Sequence, residues 1–476
     1  MALPNTHLGA SYIQTLLDGD TPKKLFFDGI GGISMNALAH ISHLRGHIVS
    51  GYDRTPSPLT KKLEDMGIKI YYTSESAHAA DADALIYTVA LGEDNPEYCF
   101  AGEHYIPRIS RADYLGYLMS GYKKRIGISG THGKSTTTGM VSQILTTAGV
   151  QPTVFNGAEM KQSGSVDIIG DEEYFVFEAC EYMDSFLDFC PTTAVVLNIE
   201  LDHVDYFSSL EQIRQSFGTF MSITGKDGWA VLNGDDPDCL KAAEAYTGNI
   251  ATFGVENPDC DFYAVNIRSE HGRNRFAVCH KGETLCEIAL QIPGRHTVSD
   301  AMAAFCACYV NGIAPDVIAK GLEAYSGICR RMDFMGKAPS GADVYSDYAH
   351  HPTELAGTLA GAGEMEYNKM LVVFQPHTFS RTHELFADFV KALSEAPLNE
   401  LVLCPIYPAR ETNIYGVSSE MLCEAIRKTG KQCRVIDTFA AAAEYCSANT
   451  TAGDMILVMG AGDIIHTAEM LVEADT

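Results

Sequence analysis

The segment Arg125–Met140, R-I-G-I-S-G-T-H-G-K-S-T-T-T-G-M, constrains the fold of this chain more than any other. A short run suited to a strand enters a glycine-rich loop, and the loop opens directly into a helix-forming stretch. Backbone N–H groups of such a loop turn inward and cradle phosphates, with the positive end of a helix dipole behind them. The strand that feeds it belongs in a parallel sheet, because open α/β sheets bind ligands at the C-terminal ends of their strands. The spacing departs from the common G-x-x-x-x-G-K-[ST] loop: Ile128 stands at the first glycine position, and glycines occupy 127 and 130 instead. Gly130, Thr131, His132, Gly133, Lys134, Ser135 and Thr136 are therefore predicted to line an ATP site. Lys134 is placed to reach the β- and γ-phosphates, and Ser135 to ligate Mg2+.

The rest of the chain repeats this rhythm. Short apolar or β-branched runs at Lys24–Asp28, Ile48–Tyr52, Ala84–Thr88, Arg125–Ser129, Tyr174–Phe177, Thr193–Asn198, Val344–Asp347, Met370–Phe374, Glu400–Pro405 and Met455–Met459 alternate with helical patterns. Such alternation predicts an α/β fold of parallel sheets covered by helices. Breaks near Tyr122 and Cys329 divide the 476 residues into three blocks, 1–122, 123–328 and 329–476. The region Ala230–Ile292 has shorter alternating runs, such as Phe276–His280 and Thr284–Leu290, and an Asn-Gly-Asp turn. It predicts a small antiparallel addition to the second block.

A formal net charge of −27 argues against nucleic acid as a partner. An acidic chain that binds an anionic nucleotide must gather its cations locally, which draws attention to lysine and arginine inside glycine-rich loops. No apolar run reaches the roughly 18 residues of a membrane span, and Met1–Asp20 lacks the basic start and apolar stretch of a signal peptide. The 14 cysteines show no CxxC pairing that zinc would want. These features predict a cytoplasmic protein with reduced thiols and no membrane partner.

A phosphate loop needs further metal ligands, usually acids at the ends of neighbouring strands. Two runs offer them, F-V-F-E-A-C-E at Phe175–Glu181 and V-V-L-N-I-E-L-D-H-V-D at Val195–Asp205. Glu178 and His203 join Ser135 as candidate Mg2+ ligands. Near the N-terminus, F-D-G-I-G-G at Phe27–Gly32 reads as a strand and a glycine turn. Gly29, Gly31 and Gly32 let the backbone approach a diphosphate at a helix start, and Asp53 ends the next strand at the position that contacts a ribose in dinucleotide folds. Alone, this turn suits NAD as well as UDP, but a nicotinamide oxidoreductase leaves the loop at Gly130 unexplained.

In their order along the chain, these segments resemble the Mur ligase family. Gly29–Met35 is similar to its UDP-binding turn, Ser129–Thr138 to its ATP loop, and Glu178–Glu181 and Asn198–His203 to its metal-binding strands. Gly327–Phe334 and Asp347–Glu354 resemble its C-terminal ATP and substrate contacts, and Phe374–Thr382, Ile406–Glu411 and Met459–Asp463 complete the series. The resemblance implies a Rossmann-like UDP-substrate domain at 1–122, a central P-loop ATPase domain at 123–328 and a Rossmann-like amino-acid-binding domain at 329–476, closing around the substrates. It implies an ATP-dependent ligase that joins L-alanine to the carboxylate of UDP-N-acetylmuramate through an acyl phosphate, in peptidoglycan precursor synthesis. The Gly-Thr-His-Gly run at 130–133 points to this alanine-adding branch. A recycling ligase that joins a peptide to the same UDP-sugar is the alternative, and a nucleotide-binding module without ligase chemistry is a third reading. A monomer or weak homodimer is expected.

The resemblance also implies residue roles. Lys134, Glu178, His203, Arg331, His350 and Arg381 form its catalytic set. Arg331 and Asp347 serve ATP, while His350 and Arg381 serve the alanine carboxylate and the reacting acyl group. Gly29, Gly31, Gly32, Ser34 and Asp53 hold the UDP part. Several positions depart from the pattern. Ser34 replaces the third glycine of the first turn, and serine is strained there if the position needs a positive φ. Ser135 stands for threonine, and Thr378 stands where some members have arginine. Gly294–Asp300, G-R-H-T-V-S-D, replaces G-x-H-N-x-x-N. Thr297 thus takes the place of an adenine-recognising asparagine, and one hydroxyl cannot make the two-point contact of an amide. Which of His350 and His351 faces the site is open, although Pro352 biases His351 to extended backbone.

Overall fold

The computed structural model describes residues 3, 5–203, 206–270, 273–409 and 411–473. Val204, Asp205 and Arg410, which belong to motifs quoted above, lie outside the described residues. The chain divides into two compact units: Met1–Glu159 with Ser163–Asp261 and Ala303–Ile318, and Met160–Gln162 with Phe262–Met302 and Ala319–Thr476.

The first unit holds two parallel sheets. In the N-terminal sheet the strand order is Lys69–Tyr71, Ile48–Tyr52, Lys24–Asp28, Ala84–Tyr87, Arg108–Ser110. The chain builds outward from Lys24–Asp28 to one side and then returns to build on the other. The Gly29 turn therefore lies where the strand order reverses, the usual ligand crevice of such sheets. The second sheet orders Asn249–Gly254, Trp229–Asn233, Thr193–Val196, Lys124–Ser129, Tyr174–Glu178, Thr153–Met160 and Ser165–Ile168. Its strands from Asn249 through Thr153 run parallel, and the phosphate-loop strand sits centrally. Ala84–Tyr87 and Thr193–Val196 are buried along their whole length, as parallel strands covered on both faces must be.

The hydrophobic core passes without a break between these two sheets, from Leu25 and Phe27 to Phe175, Phe177 and Ala194. Helix Arg111–Ser120 presses Gly116 against the segment after Glu181, so closely that a Cβ there would lie 2.1 Å from the Asp188 carbonyl oxygen.

In the second unit, Phe262–Glu270, Arg273–His280 and Glu283–Ala289 form an antiparallel ladder. The turn before Glu283 puts Lys281 (φ 49°) and Gly282 (φ 87°) both in left-handed backbone, the geometry of a tight hairpin. The unit's other sheet orders Asp333–Lys337, Asp343–Asp347, Met455–Met459, Met370–Phe374, Glu400–Leu403 and Cys433–Val435. Its first pair is an antiparallel hairpin and the remaining pairs are parallel.

The α/β expectation holds. The antiparallel expectation needs correction over its first part: Trp229–Asn233 and Asn249–Gly254 run parallel, because helix Pro237–Ala242 crosses over between them. Only 262–289 is antiparallel. Ser34 sits in the first turn of helix Ile33–Leu44, outside left-handed backbone, so serine there is unstrained. Among the described residues no helix is long and apolar enough to cross a membrane.

Candidate active site

Strand Thr193–Val196 lies beside Lys124–Ser129 with Val196 opposite Ser129, so the residues leaving the two strands meet. Asn198 laces them together. Its carbonyl accepts the Thr131 N–H at 3.2 Å, its Oδ1 accepts the His132 N–H at 2.8 Å, and its Nδ2 donates to the His132 carbonyl at 3.1 Å. The Glu200 N–H donates to Thr131 Oγ1 at 2.9 Å. Gly130 (φ 139°) and Gly133 (φ 84°) adopt backbone that side chains disfavour. Gly130 is also tightly enclosed, since a Cβ would stand 2.9 Å from that of Leu197. Gly133 caps helix Lys134–Thr147, whose first amides have no intrahelical acceptor by position and point toward the loop.

Lys134 Nζ donates to the carbonyls of Gly130 and Thr131 and pairs with Glu181 Oε2 at 3.3 Å. Burial alone would pull this ammonium's pKa down, but Glu181, with Cys180 and Glu178 behind it, holds it above its ordinary value. Lys134 is therefore a permanent cation. Glu181 is buried, and its Oε1 lies 3.8 Å from His203 Nε2 and makes no hydrogen bond among the described residues. Glu178 Oε1 accepts the Gly157 N–H at 2.7 Å, and Asn156 Nδ2 donates to the Ser135 carbonyl at 3.1 Å. Burial pushes the Cys180 thiol up to about 11, so it stays protonated. The orphaned buried oxygen of Glu181, with the carboxylate of Glu178 and the Ser135 hydroxyl on the neighbouring strand end and helix start, supplies the hard oxygen donors that Mg2+ prefers, and the His203 imidazole is a borderline donor 3.8 Å from that oxygen.

At the N-terminal turn, the Gly31 N–H donates to Asp53 Oδ2 at 2.8 Å, and a Cβ on Gly31 would meet that oxygen at 2.6 Å. Gly29 has φ 87°, and a Cβ there would approach Thr88 Cγ2 to 2.8 Å. Arg111 Nη1 donates to Ser34 Oγ at 3.2 Å. The turn thus gathers Gly29, Gly31, Ser34 and Asp53. Directly beneath it Asp28 is fully buried. Burial, then the neighbouring Glu97, pushes its carboxyl up to about 8, with the Asn95 side chain holding part of the shift back.

In the second unit Asp347 ends strand Asp343–Asp347 as a buried organising acid. It accepts the N–H groups of Met332 and Ala349, each at 2.8 Å, and the Thr358 hydroxyl at 3.3 Å. Burial raises its pKa, while Arg331, 4.0 Å away, and the two N–H groups hold part of that rise back. Arg331 Nη2 pairs with Glu354 Oε1 at 3.3 Å, and its guanidinium lies 5.7 Å from the Tyr348 ring centre. Glu354 Oε2 also accepts the His350 N–H at 3.0 Å. His350 Nδ1 faces two acceptors, the Tyr348 carbonyl at 3.0 Å and Glu354 Oε2 at 3.3 Å. Nδ1 therefore carries the ring proton and Nε2 offers a lone pair. Burial lowers the His350 pKa to about 4, so the ring is neutral.

The His350 ring lies 5.5 Å from that of His377, whose Nδ1 is 3.3 Å from Arg381 Nη1, so His350 and Arg381 share one cluster. His351 instead caps helix Pro352–Gly363, in the extended backbone that Pro352 favours, with Thr353 N–H at 3.3 Å from its Nδ1. Thr297 is buried and donates its hydroxyl to the Gly294 carbonyl at 2.7 Å.

The structure brings Lys134 and His203 to Glu181, with Glu178 acting on Lys134 and Ser135 next to it in the chain, in one unit, and Arg331, Asp347, His350 and Arg381 around Glu354 and His377 in the other. Sequence reasoning assigned no role to Asn198, Glu181 or Glu354. Glu354 had a readable signal: His351-Pro-Thr-Glu354 is a helix start with proline at the first position and a capping glutamate at the third.

Residues 26–123 match the Mur ligase family catalytic domain, 128–308 the Mur ligase middle domain, and 330–462 the Mur ligase glutamate ligase domain. A UDP-N-acetylmuramate–L-alanine ligase of Caldicellulosiruptor saccharolyticus is 42% identical over 451 residues, covering 94% of this chain and 98% of that protein. The chain belongs to the Mur ligase family. A second such ligase, of Acetivibrio thermocellus, is 40% identical over 96% of this chain and 97% of its own length. The crystal structure of the UDP-N-acetylmuramate–alanine ligase of Thermotoga maritima superposes with a TM-score of 0.80 at 27% identity, covering 95% of this chain and 99% of that one. The three-domain Mur ligase fold accounts for the order of the sheets, and the acidic strand ends beside the phosphate loop lie in the Mur ligase middle domain.

Proposed function

We propose that this Mur ligase joins L-alanine to the carboxylate of UDP-N-acetylmuramate, consuming ATP and releasing ADP and phosphate. The observation that carries the reading is identity of about 40% along nearly the whole length of relatives that bear this activity in their names. We take the functional divisions to be 1–122 for the UDP-sugar, 123–328 for ATP and 329–476 for the amino acid.

In the first step a carboxylate oxygen of the sugar attacks the γ-phosphorus and ADP leaves, forming an acyl phosphate. In the second the amine of L-alanine attacks the acyl carbon, the amide forms and phosphate departs. Both steps move negative charge, so positioning and fixed positive charge do most of the work. The inward amides of the Gly130–Ser135 loop and the permanent cation of Lys134 hold the phosphates. Ser135, Glu178 and His203, with the open oxygen of Glu181, are the residues to hold Mg2+, which supplies charge neutralisation on the phosphates. Arg331, oriented by Glu354, suits a phosphate or carboxylate in two-point contact. Arg381 is the carboxylate partner for alanine. The Nε2 lone pair of neutral His350 accepts an N–H of the incoming amine, a sharper role than carboxylate binding, for which Nε2 carries no proton.

ADP release measured with ATP, UDP-N-acetylmuramate and L-alanine, against the same mixture with a tripeptide in place of L-alanine, tests the reading. Turnover dependent on L-alanine is expected. Turnover with the peptide and none with L-alanine would move the chain to the recycling reaction.

A further inference from the structure

Left-handed backbone clusters beside the Lys134–Glu181–His203 group: Met183 and Asp184 each have φ 54°, and His203 has φ 51°. Side-chain-bearing residues keep such backbone only where their surroundings over-determine it. Here the surroundings form a closed circuit. The Asp184 N–H donates to the Glu181 carbonyl at 2.9 Å, closing the turn that follows Glu181. The Asp184 carboxylate accepts the Tyr206 hydroxyl at 2.7 Å and the hydroxyl of Ser216, a buried residue on helix Leu210–Ile223. The N–H groups of Tyr206 and Phe207 then donate to the His203 carbonyl at 2.8 and 2.9 Å. The Tyr182 ring fills the middle, 4.7 Å from the ring of His203 and 6.3 Å from that of Tyr206. One carboxylate therefore ties the loop that carries Glu181 to the loop that carries His203.

We propose that Asp184 is a positioning residue that, through Tyr206 and Ser216, fixes the separation of Glu181 and His203 and so the shape of the metal–phosphate site. The inference rests on reading the Lys134 loop as a Mg2+–ATP site. Neither Asp184 nor Tyr206 needs to touch substrate.

Three substitutions separate positioning from simple loop stability. Tyr206→Phe removes one hydroxyl and keeps the ring. Asp184→Gly suits left-handed backbone but loses the carboxylate. Asp184→Asn tolerates that backbone and keeps an acceptor oxygen. Calorimetric titration of ADP, with EDTA and then with increasing Mg2+, is combined with kcat and melting curves that establish folding. Tyr206→Phe and Asp184→Gly are expected to bind ADP in EDTA as the wild type does. They should need about tenfold more Mg2+ for tight binding and lose about tenfold in kcat, the effect of roughly one hydrogen bond. Asp184→Asn should fall between them and the wild type. Wild-type Mg2+ dependence in both Tyr206→Phe and Asp184→Gly would overturn the inference, as would an equal loss of ADP binding in EDTA. A wild type that binds Mg2+–ADP but makes no amide would refute the proposed function, and the Mg2+ titrations would still judge Asp184.

Discussion

Asp28 is a carboxyl group in a place that resists charge, and its replacement by asparagine should stabilise the protein. The residue ends strand Lys24–Asp28 and is fully buried, with the Asn95 side chain offsetting only part of the cost of that burial. Its pKa of about 8, against an ordinary 3.8, means that the folded chain keeps the proton at pH 7 and the unfolded chain does not. At about 1.36 kcal/mol per pH unit, holding that proton from pH 3.8 to pH 7 costs about 4 kcal/mol. Asparagine has nearly the same shape and no proton to take up. The folded state binds the extra proton, so this contribution falls as pH rises through the window from 3.8 to about 8 and is level above it. The gain from Asp28→Asn should therefore grow across that window; the full shift corresponds to about 6 kcal/mol near pH 8, of which about 2–4 kcal/mol is expected to be realised after relaxation around the site. Hydrogen exchange of the Phe26 and Phe27 amides, followed with urea unfolding from pH 5 to 9, reads the difference locally. A constant difference across that range, or a less stable Asp28→Asn protein at pH 8, would refute the reasoning.

Other outcomes follow from the site geometry. Lys134→Ala should cut ADP formation at least about a hundredfold, as expected for removing a charge aimed at the transferring group, and should also lower the melting temperature by stranding buried Glu181; turnover near wild type would exclude this loop from the chemistry. Asn198→Ala should raise the Kd for ATP about tenfold, the loss expected when hydrogen bonds that pre-form a loop are removed, measured by calorimetry. Gly31→Ala forces a methyl group against Asp53 and should raise KM for the UDP-sugar with little change in KM for ATP; the reverse pattern would exclude this turn from sugar binding. Because burial lowers the His350 pKa to about 4, kcat/KM should show no limb near pH 6.5 from this ring; an acid limb there that vanishes in His350→Asn would contradict its neutrality.

Much of this was legible in the sequence because the informative features are local. Buried parallel strands are nearly continuous apolar runs, so Met370–Phe374 and Met455–Met459, and Lys24–Asp28 after its first residue, could be read directly. The phosphate loop announced itself through the strand before it and the helix after it. What failed was non-local. The Asn233-Gly-Asp235 sequence suggests a hairpin, but the Asp235 carboxylate instead accepts the N–H groups of Val255 at 2.6 Å and Asn257 at 2.7 Å. It pins the far end of the next strand, after a crossover helix of only 6 residues that is short enough to pass for a turn. Asn198 and Glu181 were visible as strand-end polar residues. Their partners, His132 and Lys134, lie 66 and 47 residues away in the chain, and no spacing rule reaches that far. At Ser34 the condition for strain is not met, because the position is ordinary helix and not a left-handed turn.

The core shared by the two sheets of the first unit has a kinetic meaning. With Leu25 and Phe27 packed into the same apolar mass as Phe175 and Phe177, and Gly116 seated on the Asp188 carbonyl, the Gly29 turn and the Gly130 loop rise from one continuous core. A hinge opening between them would expose part of that core, at roughly 25 cal/mol per Å² of apolar surface. On the proposed reading, the diphosphate anchor at Gly29 and the phosphate cradle at Gly130 are spaced by that shared core rather than by a linker. A UDP-sugar held at the first turn and reacting at the second would then be gauged by its own length. Such a spacing would discriminate against shorter or longer nucleotide sugars.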